Sequence, residues 1–261
     1  MGHNRIGRLA LSIAWQEVVD LLDGAPQDPV QLAAQVVQAA DRRLRRLAES
    51  EGLGYCFWLL TRIASASRLP GFEEEMKRLG LSVSADTTPF HFIILVADRV
   101  EARLATVAGS GHFDDIAALA LRAALTESIG RQGRDLLSEQ AESLHAAVLA
   151  HATPSRFARL AVLFFGAFLS RTLRAILDRE LAQHVGTTQA YATLADSRDF
   201  LRALDRHAQH AATVIDEFAR GWYDAHHYQT EGQISAEEVR AFVAHALDKL
   251  RDGLKLQAAA A

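Results

Sequence analysis

The sequence contains a single cysteine, Cys56, which lies in the apolar run of residues 55–60. One cysteine excludes an internal disulfide bond and a zinc site built from several cysteines. We therefore interpret Cys56 as a small core residue. The amino-terminal residues also lack the long apolar segment of a secretory signal, so we expect a cytoplasmic protein.

An excess of one charge is also absent. The 28 lysines and arginines against 32 aspartates and glutamates give a net charge of -4, and 49% of the residues are hydrophobic. Such a chain is globular and carries no broad basic surface for nucleic acid or an anionic membrane. The most apolar run, residues 160–169, is shorter than the ~20 residues of a membrane span. We therefore predict a core helix there and no membrane span.

The sequence also lacks the short motifs of several enzyme classes. It has no His-Asp dipeptide of the kind that helical metal phosphohydrolases use, and no Gly-x-Ser-x-Gly segment. It has no glycine-rich phosphate loop that ends in Lys-Ser or Lys-Thr. Our first expectation is therefore a protein that is not an enzyme and that binds no cofactor.

Proline is scarce, and three of the five prolines follow a residue that can cap a helix, in the pairs Asp28-Pro29, Thr88-Pro89 and Thr153-Pro154. Proline at the first helical position loses no backbone hydrogen bond, so we predict helices that start near residues 29, 89 and 154. Apolar periodicity predicts further helices near residues 8–23, 53–67, 71–79, 113–129, 134–151, 197–223 and 236–252. No alternating run is long enough for a β-strand. The expected fold is all-α, a bundle of about nine to ten helices.

Two segments, residues 90–97 and 160–169, are apolar on every side. A helix that is apolar all round is expected to be buried, so the helices near 89–108 and 154–184 should lie at the centre of the bundle. We expect a single domain over residues 1–261. A sub-boundary near residue 186, before the histidine-rich part 187–255, is the alternative.

The predicted helix 197–223 has the most regular apolar stripe. Its members repeat at spacings of four and three and are Leu204, Ala208, Ala211, Ile215, Phe218 and Trp222. Such a stripe faces another helix, either inside the bundle or in a partner molecule. Aromatic side chains at a helix end often anchor interfaces, and we expect Trp222 in the core and Tyr223 and Tyr228 at the surface. The predicted interaction residues are therefore Ile215, Phe218, Trp222, Tyr223 and Tyr228, for a protein partner or self-association.

A catalytic alternative comes from the end of the same segment. Arg220 is followed after a short spacer by His226 and His227, with Asp224 between them. An arginine followed by four to six residues and a histidine resembles the motif of HEPN ribonucleases. That resemblance implies that Arg220 would stabilise a phosphate while His226 or His227 acts as general base. Nucleic acid would be a ligand under this alternative alone.

A divalent-metal site is the other alternative. Glu142 and His145 have the Glu-x-x-His spacing of helical di-metal proteins, Asp224 and His227 form a variant of it, and Glu180 could add a carboxylate. At about 100° per residue, Glu142 and Asp224 point away from the apolar stripes of their predicted helices. Ligands on a solvent face do not build a buried site, so our first expectation contains no metal.

The segment from Ser235 to Glu238 reads Ser-Ala-Glu-Glu, which is the pattern of a capping box. The loop before it resembles the second half of an EF-hand in its glycine and its final glutamate. His227 and Gln229 stand where calcium is bound, which leaves too few hard oxygen ligands. We therefore predict a helix that begins with this box and no calcium site.

Overall fold

The computed structural model describes residues 16, 18–20, 29–39, 44, 45, 47–107, 111–132, 143–181, 194–229 and 234–260. The structure gives the bounds of ten α-helices and one 3-10 helix, and the described ranges contain no β-strand, which confirms the predicted all-α bundle. The α-helices are α1 (Pro29–Ala39), α2 (Glu51–Ala66), α3 (Phe72–Arg78), α4 (Pro89–Leu104), α5 (His112–Gln132), α6 (Leu144–Leu149), α7 (Pro154–Leu181), α8 (Leu194–Ala211), α9 (Asp216–Gln229) and α10 (Ala236–Ala260). The 3-10 helix, Ala212–Ile215, joins α8 to α9.

The predicted starts of α4 and α10 are confirmed by their caps. The Thr88 hydroxyl accepts a hydrogen bond from the His91 amide at 3.2 Å. The Ser235 hydroxyl accepts from the Glu238 amide at 3.2 Å, and the Ser235 amide donates to Glu238 Oε2 at 2.8 Å, which is the reciprocal pair of a capping box. α1 and α7 also begin at the predicted prolines. Local side chains therefore determine where these helices start.

Other predicted boundaries differ from the structure. The helix expected over 197–223 is divided into α8, the 3-10 helix and α9, and the division falls at three β-branched residues, Thr213, Val214 and Ile215, whose type has reduced helix propensity. Within 134–151 the structure describes only residues 143–151, which contain α6, and within 8–23 it describes four helical residues. The suggested sub-boundary near residue 186 lies outside the described residues.

α7 lies in the middle of the bundle, as predicted, and packs against α5, α8 and α9. Its phenylalanines join a buried aromatic cluster in which the ring centroid of Phe57 in α2 lies 5.0 Å from that of Phe165 and 4.9 Å from that of Phe242 in α10. Residues Pro154–Asp178 are long and apolar enough to cross a membrane, but 67% of that window is buried inside the fold. That burial is the pattern of a core helix.

α4 is buried on one face. Phe92, Val96 and Val100 are buried, and the helix packs mainly against α5. The other face leaves 51% of Phe90 and 56% of Ile94 exposed. Within the described chain α4 is therefore less enclosed than α7, because part of its apolar surface stays exposed at Phe90 and Ile94.

The buried carboxylate of Asp114 holds the starts of α2 and α5 together. Its Oδ1 accepts hydrogen bonds from the Ser50 hydroxyl and, at 3.2 Å, from the Gly52 amide, and its Oδ2 accepts from the Gly111 amide at 2.7 Å. A side chain at Gly52 has no room, because a Cβ there would lie 2.4 Å from Asp114 Oδ1. A carboxylate that accepts two amide hydrogen bonds at helix starts is well placed for the helix dipoles.

Candidate functional site

The predicted interaction residues lie mainly inside the protein. Ile215 and Tyr223 are 0% exposed, and the ring of Tyr223 stacks on that of Phe157 in α7 with a centroid distance of 4.1 Å. Phe218 and Trp222 are partly buried against Phe242 of α10, at centroid distances of 4.7 Å and 4.6 Å. The prediction that Tyr223 is a surface residue is therefore wrong. The side chain of Tyr228 lies outside the described part of the chain.

The reason is that α9 contacts two helices rather than one. Tyr223 faces α7, whereas Trp222, its neighbour in sequence, faces α10. A single stripe of residues therefore does not describe the buried surface of α9. In the described chain the apolar stripe packs against helices of the same molecule, which is one of the two alternatives that the periodicity leaves open.

The structure does not join the residues of the ribonuclease alternative. Arg220 donates a hydrogen bond to Asp216 at 2.7 Å, one turn earlier on the same helix. His226 donates from Nδ1 to the Trp222 carbonyl oxygen at 2.8 Å, and its Nε2 lies 3.7 Å from Glu238 Oε1 of α10. Six residues correspond to about 120° around a helix, so Arg220 and His226 lie on different sides of α9.

Two further members of that alternative do not complete a site. Asp224 is exposed on α9, and the side chain of His227 lies outside the described residues. With Arg220 and His226 on different sides, the described side chains offer no shared position where one group could hold a phosphate while the other moves a proton. The ribonuclease alternative gains no geometric support.

The metal alternative has one ligand candidate with a clear structural role. His145 donates from Nε2 to the Ser67 carbonyl oxygen at 2.8 Å, and its ring stacks on Phe72 at a centroid distance of 4.6 Å. Glu142 and the side chains of Glu180 and His227 lie outside the described residues. Among the side chains that the structure does describe, no group of three or more His, Cys, Asp or Glu could hold a metal ion.

A surface groove runs between α7 on one side and the 3-10 helix and α9 on the other. Its first part is a cleft of about 430 Å³ lined by Ser155, Arg156, Arg159, Asp216 and Arg220. Its second part is a cleft of about 380 Å³ lined by Arg159, Val162, Leu163, Thr213 and Asp216. Because the two clefts share Arg159 and Asp216, they form one continuous surface, which we call the α7–α9 groove.

The lining residues follow helical spacing on both walls. On α7 they recur at intervals of three and four, from Arg156 to Arg159 and on to Leu163, and on the other wall from Thr213 to Asp216 to Arg220. Residues at these spacings share one face of a helix. At 1.5 Å per residue, the wall from Ser155 to Leu163 is about 12 Å long, or a little over two helical turns.

One end of the groove is basic. Three arginines and one aspartate line it, which gives a formal charge of +2 (3 minus 1). Arg220 is paired with Asp216, whereas Arg156 and Arg159 have no ion-pair partner in the described part of the chain. Both are exposed, as is Ser155. The uncompensated charge therefore belongs mainly to Arg156 and Arg159.

The other end of the groove is apolar. Val162 and Leu163 are partly buried against the core and present their remaining surface to the cleft. The Thr213 hydroxyl donates to the His210 carbonyl oxygen at 2.7 Å, so its single donor is used within its own helix turn. Next to it, 43% of Val214 is exposed. The groove thus changes from charged to aliphatic within about two turns of α7.

His151 lies in the turn before α7. It is buried, and neither ring nitrogen has a hydrogen-bond partner among the residues that the structure describes. Burial lowers the pKa of His151, and the positive charge of Arg156 lowers this pKa further. Neutral His151 adds no charge beside the basic end of the groove.

Sequence reasoning missed this groove. Arg156 and Arg159 precede the apolar run of residues 160–169, whose composition predicts a buried helix but does not show which face of that helix stays exposed. The spacing of Arg156, Arg159 and Leu163 was a usable signal for that face. The opposite wall, fifty or more residues later, is brought there by the tertiary fold alone. Comparisons with protein-family models, with curated proteins and with solved structures find no match to this chain.

Proposed function

We propose that this protein is a non-enzymatic helical interaction protein that binds a segment of a partner protein in the α7–α9 groove. The observation that carries the proposal is the direct connection of a basic end, where Arg156 and Arg159 have no ion-pair partner among the described residues, to an apolar end, Val162 and Leu163. A surface with both characters can bury aliphatic side chains and orient charged ones in a single contact.

The composition of the groove supports a protein ligand. Arginine is enriched in protein interfaces, where its planar group binds carboxylates with defined geometry. The partly buried aliphatic residues resemble the apolar centre of an interface, and the exposed arginines resemble its polar rim. Charges in such a rim increase the rate of association and select among partners more than they add affinity.

This proposal keeps the interaction surface partly in the C-terminal third but moves it to another face. Thr213, Asp216 and Arg220 form one wall of the groove, whereas Ile215 and Tyr223 are internal. The first three residues are accessible to a partner without unfolding. The last two would have to leave the core, which makes them unsuitable as contact residues.

Site-specific photocrosslinking tests the proposal. We would produce the protein with p-benzoylphenylalanine in place of Leu163 in the cells in which it naturally occurs. After irradiation of these cells, the protein is purified and the masses of its crosslinked adducts are measured. The control carries the same residue in place of Leu119 of α5, which is 42% exposed and does not line the groove. We expect a protein adduct from position 163 and none of the same mass from position 119.

The adduct mass also separates two kinds of partner. A mass of two chains identifies self-association through the groove, and any other protein mass identifies a heterologous partner. If a folded variant with the probe at position 163 gives no protein adduct, the proposal is wrong.

A further inference from the structure

Resting on the proposed function, we infer that the partner segment is an acidic amphipathic helix. Its carboxylates lie against Arg156 and Arg159, and its aliphatic side chains lie one turn further along, against Val162 and Leu163. The occupant is a segment of another protein, rather than a small anion or a lipid.

Charge complementarity specifies the acidic end. The basic end has a formal charge of +2, and the two arginines that have no ion-pair partner among the described residues are three residues apart on one face of α7. Acidic residues three or four apart on a partner helix have their Cβ atoms about 5–6 Å from one another, which is also the spacing of the two arginines. Two carboxylates can therefore each meet one guanidinium. A basic segment would face like charges and be excluded.

Groove length and composition specify the helix. The wall from Ser155 to Leu163 spans about two turns, and the character of the lining changes once, from basic to aliphatic. A partner helix with anchors at intervals of three and four places acids over the first turn and aliphatic residues over the second. This is the usual mode by which a helix lies in a groove.

Exposure distinguishes a protein helix from a small ligand. Pockets for small molecules bury about 70–90% of the ligand surface. Here Ser155, Arg156, Arg159 and Arg220 are all exposed, so a small anion would keep much of its water. A helix lying across the opening can instead cover the arginines and exclude solvent from the apolar end with its own surface.

The test identifies the residues that the groove contacts. p-Benzoylphenylalanine is placed at Ser155, at the basic end, and separately at Leu163, at the apolar end, and the crosslinked partner peptides are sequenced. We expect both probes to attach to one partner segment. The segment should carry two acidic residues three or four apart, with aliphatic residues about one turn away on the side reached from Leu163.

The binding measurement uses that same peptide, synthesised with a fluorescent label. We expect the Arg156→Glu, Arg159→Glu double variant to bind it at least tenfold more weakly than the unchanged protein, because attraction is replaced by repulsion. The matched control is Arg198→Glu with Arg202→Glu, two exposed arginines of α8 that do not line the groove. That control should bind within about twofold of the unchanged protein.

The outcomes distinguish failure of the acidic helix from failure of the protein partner itself. A partner segment without the acidic pair, or equal binding by the groove variant and the unchanged protein, overturns the acidic helix but leaves the proposed function standing. A lipid mass on both probes overturns the inferred occupant and also the protein partner. If neither probe forms an adduct on the folded protein, both proposals are wrong.

Discussion

The two halves of α7 hold arginines in opposite ways. In the C-terminal half, Arg174 Nε donates to Asp205 Oδ1 at 2.6 Å, and the Arg174 Nη2 atom donates to Oδ2. The Ser170 hydroxyl donates to the same carboxylate at 2.5 Å. In the N-terminal half, Arg156 and Arg159 are exposed and have no carboxylate partner in the described chain.

The pairing of Arg174 shows which kind of arginine stabilises the fold. A guanidinium that gives two hydrogen bonds to one carboxylate is fixed in position, and the Arg174–Asp205 pair joins α7 to α8. The hydrogen bonds that Arg174 donates to Asp205 raise the pKa of Arg174, which is the expected direction for a stabilised cation. Within the described residues, Arg156 and Arg159 form no comparable link between helices. A ligand can therefore bind their charge without breaking an ion pair of the described structure.

The largest expected effect on stability comes from removing the Arg174–Asp205 ion pair in the C-terminal half of α7. Asp205→Ala removes the acceptor of both Ser170 and Arg174, while the side chains of Asp205 and Arg174 are 22% and 37% exposed in the folded protein. Because solvent can partly replace the lost partner, we expect a loss of about 2 kcal/mol of unfolding free energy, below the 3–5 kcal/mol of a fully buried pair. Urea denaturation monitored by circular dichroism measures it.

The control for this measurement is Asp199→Ala. Asp199 pairs with Arg202 on the surface of α8, where both side chains are about two-thirds exposed. A pair of this kind contributes at most about 0.5 kcal/mol. Equal losses for Asp205→Ala and Asp199→Ala would show that the contact between α7 and α8 does not depend on the Asp205 carboxylate.

Features set by neighbouring residues could be predicted from the sequence. The cap at Thr88 and the box from Ser235 to Glu238 depend on atoms three residues apart, so the pattern of side chains determines them. The all-α fold likewise follows from periodicity within each segment. These predictions require no knowledge of which helices meet.

The position of Tyr223 and the groove could not be predicted in that way. Periodicity assigns one buried stripe to each helix, but α9 lies against α7 and α10 at once, which buries Tyr223 beside the partly buried Trp222. The basic end of the groove needs Arg159 and Arg220 side by side, and their meeting depends on how α9 packs on α7. Sequence spacing carries no information about that packing.

A smaller effect on the free energy of unfolding is expected from His151, in the turn before α7. The pKa of His151 is lowered by burial and by Arg156, so the unfolded chain binds a proton at a higher pH than the folded one. Above about pH 6.5, the protonation of His151 does not reduce the free energy of unfolding. As the pH falls below that value, unfolding takes up a proton at His151, and the free energy of unfolding decreases by no more than about 1.4 kcal/mol per pH unit.

Replacement of the imidazole tests this pH dependence. His151→Leu should reduce the loss of unfolding free energy between pH 7 and pH 5 relative to the unchanged protein. His91→Leu, at an exposed position of α4, is the control. Urea titrations at each pH provide both curves. If His151→Leu and the unchanged protein lose stability in parallel, the buried imidazole is not protonated on unfolding in this range.

The smallest expected effect on stability comes from removing the exposed arginines of the N-terminal half of α7. Arg156→Ala with Arg159→Ala removes two exposed cations that have no ion-pair partner in the described structure, so we expect the unfolding free energy to change by less than about 0.5 kcal/mol. The same urea experiment measures it beside Asp205→Ala. A loss above about 1.5 kcal/mol would mean that these arginines also hold the fold together, and the contrast between the halves of α7 would then be one of degree. If the double variant is as stable as the unchanged protein, the two arginines are not needed for folding. Their charge can then be selected for binding a partner independently of stability, as we propose for the α7–α9 groove.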